Sequence, residues 1–263
     1  MGDFFLEMNR WQFALALAAF VLVAGIEQLF PQRGLRERRW TRWAANLVLF
    51  GVGFGLVVLA APALLAGATW LQQTLHFPAL VSLGLPAWLL IVISLLVIDF
   101  VGYLSHLVAH LIPWLWRLHR THHSDEVVDG STSVRHHPLE SLVMGGIQLA
   151  IFAVLGLPLL VVVAYGVVVT VWQYFHHIDA RMPEAIDRPL RWILVTPGLH
   201  RMHHSVVMAE HNSNFGVVLS LWDRLFGTYR LRPFADRVHM PVGIGEFPAG
   251  RGVLGPLAEP LRR

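Results

Sequence analysis

Two long stretches without formal charge constrain the fold of this chain more than any other feature. No Asp, Glu, Lys or Arg occurs from residue 43 to residue 98, and none occurs from residue 142 to residue 175. A helix needs about 20 mostly apolar residues to cross the hydrocarbon core of a bilayer, and both stretches are longer than that. Charged residues make up 14% of the chain, against about 25% in an average soluble domain. The sequence therefore predicts an integral membrane protein.

The predicted fold class is an all-α membrane protein with about four to five transmembrane or re-entrant helices and a histidine-rich helical cap. We expect single spans at Trp11–Phe30, near Ala44–Ala66 and at about Pro86–Leu111. The uncharged stretch Leu142–Phe175 contains Pro158 near its middle. Because proline interrupts a helix, this stretch predicts a helical hairpin that either spans fully or re-enters the membrane.

A cluster of arginines between the first two expected spans orients the chain. Five arginines fall within ten residues, at Arg33, Arg36, Arg38, Arg39 and Arg42. Positively charged loops lie predominantly on the cytoplasmic side of a membrane, so we expect this loop there. The alternation of the spans then places the histidine motifs on the cytoplasmic side as well. Membrane orientation accounts for the net charge of +3, and we expect no nucleic-acid partner.

We expect residues 1–263 to form a single membrane-embedded domain with three parts. Residues 1–85 hold the first spans, residues 86–230 carry the histidine motifs, and residues 231–263 form a tail in which we find no chemistry. The chain contains no cysteine. This excludes disulfides, thiolate metal sites and cysteine-ligated iron–sulfur clusters.

Twelve of the 15 histidines form a spaced series that indicates metal binding. Two H-x-x-H-H triplets occur, and residues at i, i+3 and i+4 share one face of a helix, so each triplet can direct its imidazoles to a common point. Imidazole suits iron, zinc and copper. One tetrahedral zinc needs only about four ligands, so this many donors predict two metal ions. The series consists of His106, His110, His119, His122, His123, the pairs His136/His137 and His176/His177, and His200, His203 and His204.

Acidic and polar residues near these histidines are expected to orient them rather than to bind metal. A metal-bound histidine usually donates its other ring N–H to a carboxylate or a carbonyl oxygen. An all-imidazole shell also leaves the positive charge of two ions uncompensated, which favours carboxylates nearby. The candidates are Asp99, Tyr103, Asp125, Asp129, Glu140, Asp179, Glu210 and Asn214.

Other kinds of site are disfavoured by missing motifs. The chain has no H-E-x-x-H of a zinc protease, no G-x-G-x-x-G of a dinucleotide site and no G-x-S-x-G of a hydrolase. A non-catalytic metal-binding or transport protein is the alternative from a different functional class. Transport favours ligands spread through the bilayer midplane, whereas these are expected at one face of the membrane.

The motifs resemble those of the fatty acid hydroxylase superfamily, also called the sterol desaturase family, over roughly residues 90 to 230. The resemblance rests on four segments. These are Asp99-Phe100 followed by His106-x-x-x-His110 and Trp116-Arg117-x-His119-Arg120-x-His122-His123-Ser124-Asp125; Ser133-x-Arg135-x-His137-Pro138-Leu139-Glu140; Thr196-Pro197-x-x-His200-Arg201-x-His203-His204-Ser205; and Asn214-Phe215-Gly216 with Leu221-Trp222-Asp223 through Tyr229.

The resemblance implies an integral membrane oxygenase that binds two iron ions, for which zinc can substitute in purified protein. It implies hydroxylation of an unactivated C–H bond of a lipid with O2 and with electrons from a reductase, ferredoxin or cytochrome. Desaturation or oxidation of a lipid or sterol at the same site is the alternative. Since the family usually has an aromatic residue at position 136 and no histidine at position 176, the second member of each pair is the implied ligand. The implied ligands are His106, His110, His119, His122, His123, His137, His177, His200, His203 and His204.

Overall fold

The computed structural model describes residues 2–33, 39–237, 240–244 and 254–261, with side chains from residue 11 onward. Two arginines of the orienting cluster, Arg36 and Arg38, therefore lie outside the described residues. The described part contains helices and isolated bridges but no β-strand. The helices are α1 Gly2–Leu29, α2 Arg39–Thr74, α3 Ala87–Leu111, α4 Pro113–His123, α5 Pro138–Val154, α6 Leu159–His177, α7 Glu184–Leu190, α8 Pro197–His203, α9 Met208–His211, α10 Leu221–Leu225, α11 Phe234–Arg237 and α12 Leu254–Ala258.

Four helices in the described residues are long and apolar enough to cross a membrane. They are Trp11–Leu29 within α1, and α2, α3 and α6 in full. The predicted all-α membrane fold is confirmed. Helix α2 extends beyond the expected Ala44–Ala66 at both ends. At its C-terminal end the uncharged sequence continues to the last residue, Thr74, and Pro62 is accommodated inside the helix.

Helices α5 and α6 form the expected hairpin, and its tip lies at the end of the bundle opposite the histidines. The tip is held by the connection between α2 and α3: Leu80 N donates to Leu155 O at 2.8 Å and Val81 N to Gly156 O at 3.3 Å. Gly156 has φ +61°, and a Cβ there would lie 2.4 Å from Ala79 Cβ. Glycine is therefore required at this turn.

The end of α1 and the start of α2 are tied to the histidine-bearing end of the bundle by buried charged groups. Glu27 Oε1 accepts from Gly130 N at 2.7 Å and from Asp179 N at 3.0 Å. Arg42 donates to Asp125 Oδ2 at 2.7 Å and also to Asp129. These contacts hold the segments that follow α4 and α6, so the N-terminal helices and the histidine motifs form one unit.

Asp99 in α3 ties that helix to the segment before α10. Its carboxylate is buried and accepts from Tyr165 Oη and Trp222 Nε1, both at 2.7 Å, and from the backbone N of Val218 and Leu219, both at 3.3 Å. A buried carboxylate needs this many donors because burial without partners is costly. Together with the contacts of His106 and His110, this places residues 212–219 along the C-terminal half of α3.

Candidate metal centre

The histidines of the series converge at one end of the helical bundle and form two groups. The five-histidine group contains His106, His110, His119, His123 and His203, and the four-histidine group contains His122, His177, His200 and His204. Within each group, one ring nitrogen per residue lies within 4.8 Å of the others. Nine of the ten histidines expected to bind metal are therefore brought together.

Each H-x-x-H-H triplet divides its rings between the two groups. In α4, His119 and His123 belong to the five-histidine group, whereas His122 belongs to the four-histidine group. In α8 and its C-cap the pattern is reversed, since His203 joins the five-histidine group without His200 and His204. The expectation that a triplet shares one point is thus corrected. Positions i and i+4 lie about 40° apart around a helix, whereas i+3 and i+4 lie about 100° apart.

In the five-histidine group, backbone carbonyls fix the orientation of two rings. His106 Nδ1 donates to Phe215 O at 2.9 Å and His203 Nδ1 donates to Ser213 O at 2.8 Å. A carbonyl oxygen only accepts hydrogen bonds, so each Nδ1 carries the proton. Each Nε2 then presents a lone pair to the centre of the group, as a metal ligand does.

Side chains orient two further rings of this group. His119 Nδ1 contacts Glu140 Oε1 at 2.6 Å, and His110 Nδ1 contacts Asn212 Oδ1 at 3.3 Å. The Nε2 atoms of all five rings are buried and have no hydrogen-bond partner among the described residues. A buried polar atom without a partner costs about 1–3 kcal/mol. Five such atoms facing one another fit a bound metal ion.

The four-histidine group is closer still. His177 Nε2 lies 2.9 Å from His200 Nε2 and 3.3 Å from His122 Nε2, and His200 Nε2 lies 3.2 Å from His204 Nε2. Two ligands of a tetrahedral ion bound at 2.0–2.1 Å are about 3.3–3.4 Å apart. His177 Nδ1 donates to Gln173 O at 2.8 Å, which leaves its Nε2 as an acceptor. The donor set and spacing fit a second ion.

Five histidines outside the membrane spans are held in the neutral form that metal binding requires. Burial, and then the neighbouring imidazoles, hold the pKa of five rings well below the usual value. Neutral imidazole is the form that binds metal ions, so these rings are available as ligands at neutral pH. The five are His122, His123, His200, His203 and His204.

His137, one of the ten expected ligands, lies outside both groups. Pro138 begins α5, which places His137 at the N-cap, where its Nδ1 accepts from Leu139 N at 3.2 Å. The neighbouring His136 instead stacks on His122, with ring centroids 4.8 Å apart and planes within 3°. Its Nδ1 lies 3.2 Å from the Glu140 oxygen that contacts His119. His136 is thus the member of the pair that lies beside the candidate ligands.

In the other pair, His177 belongs to the four-histidine group, whereas His176 stacks on His200 at a centroid distance of 4.0 Å. His211, from outside the series, also lies beside the centre. Its buried ring is 4.4 Å from that of His123, and burial, followed by His119, lowers its pKa to about 4.

Glu140 links the two imidazoles that flank it and supplies negative charge to the centre. Burial raises the pKa of this carboxyl, but His136 and His119 more than offset that effect, and the pKa lies well below its usual range. Conversely, although burial lowers the pKa of His136, Glu140 raises it overall. An ionised carboxylate next to neutral ligands compensates part of the charge of a bound cation.

Of the eight residues expected to orient the histidines, Glu140 alone hydrogen-bonds an imidazole within the described residues. The others hold backbone segments or arginines. Asp99, Asp125 and Asp129 make the contacts described above, and Tyr103 Oη lies 3.2 Å from Thr228 Oγ1. The remaining contacts are those of Asp179 with Arg201, of Glu210 with Ser205 and Arg232, and of Asn214 with Leu199 and Arg230.

Asn214 was predicted to lie near the centre, but its neighbours, which supply acceptors to three rings, were not. Asn212, Ser213 and Phe215 contact the rings of His110, His203 and His106. Two of these acceptors are backbone carbonyls, which no residue type reveals. The sequence signal that could have indicated this loop is the motif Asn214-Phe215-Gly216. Asn214 adopts φ +57°, and a Cβ on Gly216 would lie 2.6 Å from Leu219 O and 2.8 Å from Asp223 Oδ2.

A cavity of about 460 Å³ opens from the metal centre into the helical bundle. His106, His122 and His177 line one end. From there the cavity extends between α3, α5 and α6 to Ile98, Phe152 and Val162, and these three side chains belong to one apolar cluster. The cavity therefore joins a polar, histidine-lined end to an apolar end inside the membrane-crossing part of the molecule.

The sequence is similar to those of several known proteins. An ornithine lipid hydroxylase, OlsE, of Rhizobium tropici is 34% identical over 173 residues, which are 66% of this chain and 50% of that protein. The alkylglycerol monooxygenase of Homo sapiens is 32% identical over 136 residues, covering 50% of this chain and 28% of that protein. A very-long-chain aldehyde decarbonylase of Oryza sativa subsp. japonica is 26% identical over 209 residues, covering 73% and 29%.

The chain thus spans half or less of the length of these curated relatives. No solved structure gives a significant match. Residues 91–228 match the family described as fatty acid hydroxylase, which is more than half of the 263 residues and includes every histidine of the two groups. The chain belongs to the fatty acid hydroxylase family.

Proposed function

We propose that this protein is a membrane-bound lipid hydroxylase that works with two iron ions, O2 and an external electron donor. The observation that carries the proposal is the junction of the two histidine groups with the apolar cavity. Unpartnered imidazole nitrogens face one another at one end, and space for an apolar chain begins directly beside them. The names of two relatives, a lipid hydroxylase and an alkylglycerol monooxygenase, agree with a lipid substrate.

The nine histidines of the two groups are the proposed ligands, five for one ion and four for the other. All donors are imidazole nitrogens, which suit iron and also zinc. A pair of bound irons would supply activation of O2 and removal of hydrogen from an unactivated C–H bond. The residues of this chain supply ligand geometry, charge compensation and a dry site.

The surroundings of the centre position a substrate and exclude water. The rings of His122, His177 and His200 are buried, and the helices around the cavity are mainly apolar. An apolar environment strengthens each electrostatic contact and suppresses side reactions with water. Ser105, Ser141, Gln148 and Gln173 are the uncharged polar side chains that line the cavity among the described residues. We assign them to hydrogen bonds with the polar part of a lipid.

We further propose that the metal centre lies on the cytoplasmic side. Arg33, Arg39 and Arg42 of the orienting cluster fall at the same end of the bundle as the histidines, since Arg42 contacts the segment that follows α4. The positive-inside rule favours that end for the cytoplasm. A soluble reductase, a ferredoxin or a cytochrome could then deliver electrons from that side.

The test is lipid mass spectrometry of cells grown under 18O2 with the intact protein, with His203→Ala or with His76→Asn. His203 belongs to the five-histidine group, whereas His76 is exposed at the far end of α2 and has φ +50°, a conformation that asparagine tolerates. We expect a labelled lipid with the intact protein and with His76→Asn, and none with His203→Ala. Unlabelled lipid lacking two hydrogens would instead support desaturation, and unchanged lipids with all three would refute both.

A further inference from the structure

One wall of the cavity is a single face of α6 that leads away from the metal centre. Its cavity-lining residues Val162, Gly166, Val169, Gln173 and His176 are spaced three or four residues apart, the spacing of one helix face. At a rise of 1.5 Å per residue, Gly166 lies about 15 Å along the helix from His176 and Val162 about 21 Å from it.

The cavity is elongated along this face. A sphere of 460 Å³ would be about 10 Å across, which is half the distance over which α6 lines the space. The far end is lined by Ile98, Phe152 and Val162 of one apolar cluster. The shape fits an unbranched apolar chain that lies along α6, with one end at the histidines.

Three helical glycines among the described residues line this cavity, and one of them has a packing reason. A Cβ on Gly102 would lie 3.2 Å from Val217 Cγ2, which is too close, whereas a Cβ on Gly145 would lie 3.6 Å from Val57 Cγ2, an ordinary contact. A Cβ on Gly166 would meet no atom within 4 Å. Glycine weakens a helix relative to alanine, so packing against the protein does not account for glycine at position 166.

The two arms of the hairpin pack mainly against different helices. Helix α5 packs mainly against α2, with a smaller contact to α3, whereas α6 packs against α1 and α3. Gly166 is exposed in the space left between them, and Tyr165 beside it is buried against Asp99. A larger side chain at position 166 would therefore extend into the cavity rather than into a neighbouring helix.

We propose that Gly166 is a specificity-determining residue that sets the length of acyl chain the cavity accepts. This rests on the proposed function, in which a lipid chain occupies the cavity. The missing side chain leaves room for the part of the chain that lies beyond the metal centre, between Gly166 and the apolar end. A bulky residue at this position divides the cavity, so that only chains ending before it fit.

The experiment measures chain-length preference by binding, independently of turnover. The full-length protein in detergent micelles is incubated with an equimolar mixture of photoreactive saturated fatty acids from decanoic to octadecanoic acid. After illumination, intact-mass spectrometry quantifies each adduct. The variants are Gly166→Phe and the smaller Gly166→Ala, which covers the case in which the phenylalanine variant does not fold. Ala164→Phe is the matched control, because Ala164 is exposed on the opposite face of α6.

We expect Gly166→Phe to lower the ratio of octadecanoate to decanoate adducts about tenfold, the loss expected when about two methylene groups no longer fit. Gly166→Ala should lower the ratio less, and Ala164→Phe should leave it unchanged. An identical ratio in the intact protein and both Gly166 variants, or no adduct in the intact protein, would overturn the proposal. If the ratio shifts but no labelled lipid forms under 18O2, the hydroxylase function fails while the role of Gly166 stands.

Discussion

Replacing Glu140 by glutamine isolates the contribution of one carboxylate to the metal centre. Glu140 Oε1 contacts the Nδ1 atoms of His119 at 2.6 Å and of His136 at 3.2 Å, and the side chain is buried. Glutamine has nearly the same size and keeps an oxygen acceptor, so packing is preserved. The substitution removes the negative charge, while the single amide oxygen can still face both rings as Oε1 does.

The expected magnitude follows from these contacts. His119 is a proposed ligand in the five-histidine group, and the carboxylate fixes the orientation of its ring. Loss of such a partner typically weakens metal binding about 10–100-fold, which corresponds to about 1.4–2.7 kcal/mol. The short His119–Glu140 contact places the expected effect in the upper half of this range, because charge-assisted hydrogen bonds are about twice as strong as neutral ones.

Zinc provides a redox-silent probe for this prediction. The purified protein is dialysed against a series of chelator buffers, and zinc per chain is measured by elemental mass spectrometry. The free-zinc concentration at half release should rise about 10–100-fold in Glu140→Gln. Glu126→Gln is the control, since Glu126 is exposed and lies in the segment that follows α4. Equal zinc retention in Glu140→Gln and the intact protein would refute the assigned role of this carboxylate.

Three further predictions concern residues around the centre. Gly216→Ala should reduce the zinc bound per chain, because its Cβ would lie 2.6 Å from Leu219 O and would displace the Phe215 carbonyl from His106; normal zinc content would contradict this. Asp99→Ala should lower the thermal unfolding midpoint in detergent, since four donors lose their acceptor. Each buried donor left without a partner costs about 1–3 kcal/mol of stability. An unchanged midpoint would count against this prediction. The pKa of Glu140 is lowered in the folded protein, so its ionised form stabilises the fold above the unfolded pKa of about 4.3. This stabilisation is lost as the pH falls below that value. Denaturant titrations of the metal-free protein should therefore show a smaller acid-induced loss of stability in Glu140→Gln than in the intact protein, and equal losses would refute this prediction.

The helices were predictable because the length of an uncharged stretch can be counted directly along the sequence. A stretch without charge from residue 43 to residue 98 requires membrane helices, and Pro158 marks the turn of the hairpin. The boundaries were less accessible. Helix α2 continues to Thr74, whereas its end was expected at Ala66. This end could not be predicted because nothing in the uncharged sequence marks where the hydrocarbon core ends.

The convergence of the histidines could be anticipated from spacing, but their division could not. His122 and His123 are adjacent, yet they belong to different groups, because the rotation of α4 relative to α6 and α8 decides which ring faces which ion. That rotation depends on tertiary packing. The capping role of His137 likewise depends on where α5 begins, and the acceptors of residues 213 and 215 are backbone atoms that a residue pattern does not show.

Helices α4 and α8 each contribute rings to both histidine groups, so the two proposed ion sites share the same supporting helices. An ion bound in one group would therefore immobilise α4 and α8, which also carry ligands of the other group. Loading should therefore be positively cooperative. Under limiting zinc, native mass spectrometry should find mostly chains with two ions or none, and few that carry one.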